Sequence, residues 1–250
     1  VAELYAVIGG SGLYTLDEQF EIETARQIQT PYGSTSAELQ IGDWQGHRVV
    51  FLPRHGASHQ IPPHKINYRA NLWALQSIGV SHIIAANAVG GIDPRYQPLA
   101  LGLPDQIIDY TSNREHTFFD GESGEVEHVD FTRPYSQPLR EAIMRAASKG
   151  HIDLIDGGTY GCTNGPRLET AAEIKKFRID GCSIVGMTGM PEAALARELG
   201  LEYASIVLVV NWCAGIEDKA ITMDEITKVL NQGVDTIRQL VSDTLSRIDQ

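Results

Sequence analysis

Four short strand-like runs in this chain each end in a cluster of small residues or an abrupt polar group. Leu4 to Ile8 leads into Gly9-Gly10-Ser11-Gly12, and Arg48 to Leu52 into Pro53-Arg54-His55-Gly56. His82 to Ala86 leads into Asn87-Ala88-Val89-Gly90-Gly91, and Ala204 to Val210 into Asn211-Trp212-Cys213-Ala214-Gly215. Apolar runs of this length bounded by turn residues are the pattern of strands buried on both faces. Such strands belong to an α/β protein, where ligands gather at the carboxyl edge of the sheet because backbone N–H groups are still free there. The pattern predicts one site assembled from several strand ends.

A fifth junction carries the same message. Cys182 to Val185 passes through Gly186-Met187-Thr188-Gly189-Met190 into Pro191-Glu192-Ala193-Ala194-Leu195-Ala196. Proline suits a first helical turn and glutamate suits the positive end of a helix, so a strand is expected to hand over to a helix at Met187-Thr188. Helical periodicity marks Asn67 to Ile78, Leu139 to Ala147, Thr170 to Phe177 and Thr222 to Ile248. In the last of these, Met223, Ile226, Val229, Leu230, Val234, Ile237, Leu240 and Val241 form the apolar face. Residues 24–46 read as β-rich, with further strands expected over Leu103 to Tyr110 and Ile152 to Ile155. Thr111 to Thr132 is a long polar loop whose His116, Phe118, Phe119 and His128 suggest a cover over a pocket or a crossing to another subunit. With no internal repeat or linker, residues 1–250 read as a single α/β domain, a mixed central β-sheet flanked by helices.

Charge narrows the ligand. A formal net charge of −12 over 250 residues excludes a general nucleic-acid binder, so any phosphate must be held by a local cluster. Arg54 and His55, directly beyond a strand end, are candidates for such a clamp, with His59, His64 and Lys65 thickening the cationic patch. Removing Arg54 is accordingly expected to weaken phosphate binding in a protein that stays folded. The first glycine turn does not make a dinucleotide site, because Thr15 replaces the third glycine of the fingerprint and no acidic ribose partner follows at the required distance. A non-catalytic nucleotide-binding protein would need that acidic partner where this chain has Arg54-His55. Three cysteines without C-x-x-C spacing and histidines without a helical zinc spacing predict no metal site. They also point to a reducing compartment, with cytoplasm expected. No apolar run approaches the ~20 residues that span a bilayer, so no membrane partner is expected.

Taken together, Gly9 to Gly12, Pro53 to Gly56, Asn67-Tyr68-Arg69-Ala70-Asn71, Gly165-Pro166-Arg167-Leu168-Glu169-Thr170, Met187 to Glu192 and the Asn211 strand end resemble the trimeric purine nucleoside phosphorylases. The likeness is to the branch containing methylthioadenosine phosphorylase, and most closely to its bacterial methylthioinosine phosphorylase members. It runs through nearly the whole chain in the same order. The resemblance implies a homotrimer of nucleoside phosphorylase fold that uses inorganic phosphate as co-substrate and no cofactor. It places Ser11, Arg54, His55, Ala88 and Thr188 around phosphate, Met187 under the ribose and Leu168 against the base. Glu169 then meets the N1 edge of a 6-oxopurine and Asn211 its N7 and O6. Cys213 replaces an aspartate of the 6-aminopurine enzymes. Met223 and Ile226 stand where a histidine serves a free 5′-hydroxyl, which favours a 5′-methylthio group. His128 is the candidate for a neighbouring subunit's contribution. Asn211, Thr188 and His55 are the residues expected to carry the chemistry.

Overall fold

The computed structural model describes residues 4–16, 18–121, 124 and 126–248. Its strands are β1 Leu4–Gly9, β2 Phe20–Arg26, β3 Gln29–Thr30, β4 Gly33–Ser34, β5 Leu39–Trp44, β6 His47–Pro53, β7 Val80–Gly91, β8 Leu101–Leu103, β9 Gln106–Asp109, β10 Leu154–Asp156, β11 Thr159–Cys162, β12 Ile184–Gly186 and β13 Glu202–Trp212. The helices are α1 Tyr68–Ser77, α2 Gln137–Lys149, α3 Ala171–Ile179, α4 Gly189–Glu198 and α5 Met223–Leu245.

The main sheet is mixed, in the order β10-β8-β13-β7-β1-β6-β5-β2, with β12, β11 and β9 branching from β7. Its centre, β13-β7-β1-β6, is parallel. Alternation along these strands sorts the core into two layers. Ala6, Ile8, Val50, Leu52, Val207 and Val209 face α1 and α4, whereas Tyr5, Val7, Val49, Phe51, Ile206 and Leu208 face α2 and α5. Burial on both faces explains why these strands read as continuous apolar runs.

Register brings the strand ends together. Ile8 pairs with Leu52 on one side and Ala85 on the other, and Ala85 in turn with Ser205. Gly10, Arg54 and Asn87 therefore follow one another across adjacent strands at the same edge. The predicted loop after Ala86 is instead strand. β7 continues through Gly91 because β12 pairs with Gly90 and Gly91 while the end of β13 runs along its other side, so the backbone of the two glycines is taken up by the sheet. The single strand expected over Leu103 to Tyr110 is broken at Pro104-Asp105: β8 pairs with β13 and β10, and β9 pairs with β11.

In the Thr111–Thr132 loop, of which 122, 123 and 125 lie outside the described residues, no described residue lines the cavity of its own chain. Arg69 bonds Asp120, Glu198 accepts from Thr117 and Phe118, and Phe118 packs edge-on against Tyr32. Arg114 is buried and donates to the carbonyls of Met187, Met190, Thr163 and Asn164. The loop thus pins the strand-to-helix turn from behind.

Candidate active site

At the carboxyl edge of the parallel strands lies a cavity of about 720 Å³, the size of a small-molecule site. Ser11, Arg54, His55, Ala88, Leu168, Glu169, Met187, Thr188, Asn211, Cys213, Met223 and Ile226 all line it. Residues scattered over the whole chain are thus brought to one cavity. His128 is exposed and outside the cavity of its own chain, as are His64 and Lys65.

One lobe is made of strand ends. Gly10 packs so closely that a Cβ there would sit 2.4 Å from the Ala86 carbonyl oxygen and 3.1 Å from Arg54 Nη1, so only glycine fits. Arg54 is fully buried, and the structure gives it a partner that sequence reasoning missed. Its Nε and Nη2 donate to the two Glu192 oxygens, each at 2.6 Å, and Nη1 donates to Ala86 O at 3.2 Å. Glu192, read from sequence as a helix-end charge, is equally buried and also accepts from the Tyr203 hydroxyl at 2.8 Å. Burial alone would lower the arginine's pKa, but the charge and hydrogen bonds of Glu192 outweigh it and hold the guanidinium ionised. Three of its five N–H groups are thereby used, and two remain on a cavity-lining side chain. Arg54 is therefore a strut of the fold, and its removal would strand Glu192.

His55 donates from Nδ1 to the Ile61 carbonyl at 2.9 Å, since a carbonyl can only accept. Burial, then the neighbouring Arg54 charge, pushes its pKa down to about 4, so the ring is neutral at pH 7 with Nε2 as an acceptor. His59 and Tyr14 continue an aromatic rim from it, with ring centroids 4.7 Å and 5.4 Å apart in turn.

Thr188 sits at the turn before α4. Met190 is extended, so regular helix begins at Pro191, in keeping with proline's place in a first turn. The Thr188 oxygen accepts from Asn87 Nδ2 at 2.7 Å, and Asn87 Oδ1 accepts from Ser205 at 3.0 Å. With its oxygen engaged from behind, the Thr188 hydroxyl keeps its own proton to donate. Asn87, Ser205, Glu192 and Tyr203 were not identified as site residues from sequence. For Asn87, Ser205 and Tyr203 the signal available was a polar residue inside an otherwise apolar strand.

The other lobe carries polar groups of a different kind. A register shift between Val209 and Asn211 bulges β13 opposite β7 and turns Asn211 into the cavity. Gly90 makes the room: a Cβ there would lie 2.6 Å from Cys213 Sγ. Asn211 Nδ2 donates to Trp212 O at 2.7 Å, leaving its second N–H and Oδ1. Burial, then the Glu169 charge, raises the pKa of Cys213, which stays a neutral thiol. Glu169 accepts from Thr163 Oγ1 at 2.7 Å. It precedes α3, whose start is fixed by a Thr170–Glu173 capping box. Beyond Asn211 the wall is mostly apolar, formed by Ile221, Met223, Ile226 and Leu230, with Thr227 among them donating its hydroxyl to the Met223 carbonyl at 2.8 Å. Among the described residues no group of three His, Cys, Asp or Glu could hold a metal ion.

An anion lobe of preorganised donors beside a lobe with an amide and a carboxylate is the layout of a group-transfer enzyme acting on a polar heterocycle. The phosphorylase superfamily profile matches residues 4–246. This chain belongs to the phosphorylase superfamily. It is 50% identical over 243 residues to a probable S-methyl-5′-thioinosine phosphorylase of Pseudomonas syringae pv. tomato, covering 97% of this chain and 98% of that one. It is 45% identical to the 6-oxopurine nucleoside phosphorylase of Pyrococcus furiosus, covering 94% and 89%. Methylthioadenosine phosphorylase from Schistosoma mansoni in complex with adenine superposes with a TM-score of 0.92 at 31% identity, covering 99% of this chain and 92% of that one. The chain is a phosphorylase of the pentosyltransferase class, and its mixed-sheet α/β fold is that of these nucleoside phosphorylases.

Proposed function

We propose that the protein catalyses phosphorolysis of S-methyl-5′-thioinosine, giving hypoxanthine and 5-methylthioribose 1-phosphate. The observation that carries this reading is the pairing of Asn211 and Glu169 in one lobe of a cavity whose other lobe holds Thr188, Arg54 and His55. Hydrogen phosphate sits among the Thr188 hydroxyl, the free Arg54 N–H groups, the Ser11 turn and the Ala88 backbone, with His55 Nε2 accepting its P–OH. It attacks C1′ from the face opposite the departing purine while Met187 packs under the ribose. The C1′–N9 bond breaks, its electron pair goes to the base, and N7 takes a proton from solvent, balanced by the P–OH proton that the sugar phosphate releases. Asn211 Oδ1 accepts from N7–H and its free N–H donates to O6, while Glu169 accepts from N1–H. No covalent nucleophile is required; positioning and electrostatics supply the rate.

A 6-aminopurine presents a donor at position 6 and no N1–H, so it leaves the Asn211 N–H and Glu169 mispaired. Mispaired buried polar groups discriminate more strongly than lost apolar contacts. The apolar wall of Met223 and Ile226 gives a 5′-hydroxyl no partner and suits a methylthio group. Leu168 packs against the base without an aromatic stack. The exposed His128 fits a role at a neighbouring subunit's 5′ pocket in a cytoplasmic homotrimer. The test is release of free base from methylthioinosine and methylthioadenosine, with and without phosphate, by wild type and by Asn211→Asp with Cys213→Asp. Phosphate-dependent turnover favouring the inosine nucleoside, with the double variant shifting toward the adenine nucleoside, is expected. Turnover without phosphate, or a wild-type preference for the adenine nucleoside, would overturn the reading.

A further inference from the structure

Glu169 lies on a weakly held segment. Pro166, Arg167 and Leu168 before it are exposed, Arg167 turns away to bond Glu173, and Glu169 itself is only half-buried. A carboxylate in that position has many rotamers and ready access to water, neither of which suits selection of one purine edge. What restrains it is the Thr163 hydroxyl, 2.7 Å from Oε1.

Thr163 is a fixed post. Its amide donates to the Gly186 carbonyl at 2.9 Å, at the end of β12, and its own carbonyl accepts from Arg114 at 3.2 Å. Arg114 is in turn held by the carbonyls of Asn164, Met187 and Met190. The post is thereby tied to the turn that carries Met187 and Thr188. Thr163 itself does not line the cavity, so anything it contributes passes through Glu169. Its O–H donates to Glu169 Oε1 at 2.7 Å, with the Gly186 carbonyl a much longer second acceptor at 3.5 Å, which keeps Glu169 an acceptor and leaves Oε2 for a ligand N–H.

We propose that Thr163 is a positioning residue for base selection: by fixing the Glu169 carboxylate it sets the preference for purines that carry an N1–H. This rests on the assignment of Glu169 to the N1 edge. A 6-aminopurine has no proton at N1 and gains nothing from a fixed acceptor there, so the effect of losing Thr163 falls on one substrate class.

The experiment measures kcat/KM for methylthioinosine and methylthioadenosine with wild type, Thr163→Val, Thr163→Ser and Glu169→Gln. Valine keeps the shape and removes the hydroxyl. It is expected to lower kcat/KM for methylthioinosine roughly tenfold, the scale of one charge-assisted hydrogen bond, and to leave methylthioadenosine within about twofold. Serine, which keeps the donor, restores the wild-type ratio. If Glu169→Gln collapses the preference while Thr163→Val leaves it intact, or if valine lowers both substrates equally, the role of Thr163 is refuted. If Glu169→Gln itself leaves the ratio unmoved, the assignment of Glu169 to the base is what fails.

Discussion

Glu192→Gln removes the charge that compensates the buried Arg54 while keeping the side chain's shape. Both oxygens now bond the guanidinium at 2.6 Å, and both side chains are fully shielded from water. Glutamine returns one oxygen and turns an N–H₂ toward a cation, so the pair becomes an uncompensated buried charge. Breaking a buried pair in this way costs about 3–5 kcal/mol. For a chain of 250 residues, each kcal/mol corresponds to a shift of about 2–4 °C in Tm, so a fall of roughly 6–20 °C is expected. Calorimetry with and without inorganic phosphate gives a second readout. An anion in the adjacent lobe supplies part of the missing negative charge, so phosphate raises the Tm of the variant more than that of wild type. A Tm within about 2 °C of wild type, or equal phosphate stabilisation of the two proteins, would refute the claim that Glu192 is the counter-charge on which Arg54 depends.

Two further outcomes follow from the same geometry. His55 has a folded pKa of about 4 against an ordinary 6.5, so below pH 6.5 the unfolded chain takes up a proton that the folded one refuses. Its contribution is complete above 6.5 and declines as pH falls toward 4, by up to about 3 kcal/mol. Urea unfolding at pH 7.0, 5.5 and 4.5 should show a shallower decline for His55→Gln, and parallel curves would contradict it. At the 5′ wall, Ile226→Asn adds a polar partner at a position that is apolar in wild type. Wild type should prefer methylthioinosine to inosine by about tenfold or more, with the asparagine variant narrowing the gap; equal efficiency of wild type on both nucleosides would remove the argument.

The strands and the site's location were legible because β1, β6, β7 and β13 are buried on both faces, and such strands betray themselves by apolar runs ending in glycine or polar residues. Helix ends were legible where a cap marks them: Asn67 accepts from Ala70 and Thr170 from Glu173. What stayed hidden depends on pairing over long separations. Glu192 looked like a helix-end charge because nothing local announces a partner 138 residues away. The continuation of β7 through Gly91 depends on β12 folding back against it, and Arg114 sits in a polar loop whose composition gives no hint of the four carbonyls it meets. Met223 illustrates the opposite error, since helical spacing placed it on the apolar face of α5, yet it is 67% exposed at the cavity mouth.

These contrasts divide the cavity into halves with different physical constraints. Arg54, His55, Asn87, Thr188, Glu192 and Ser205 are all buried and each is hydrogen-bonded, Arg54 to Glu192, Asn87 to Thr188 and Ser205, and His55 to the Ile61 carbonyl, so changing any one leaves a polar atom or charge without its partner. The groups facing the nucleoside are held more loosely. Leu168 is 40% exposed, Met223 more so, and Asn211 and Glu169 are half-buried on a bulge and a loop. Substitutions at such positions usually cost within about 0.5 kcal/mol of stability. The half proposed for phosphate is thus fixed by the requirements of folding, and the half proposed for the nucleoside is freer to vary. Preference for base and 5′ group can therefore change through Leu168, Asn211 or Met223 while the lobe proposed for phosphate and the sheet beneath it stay as they are.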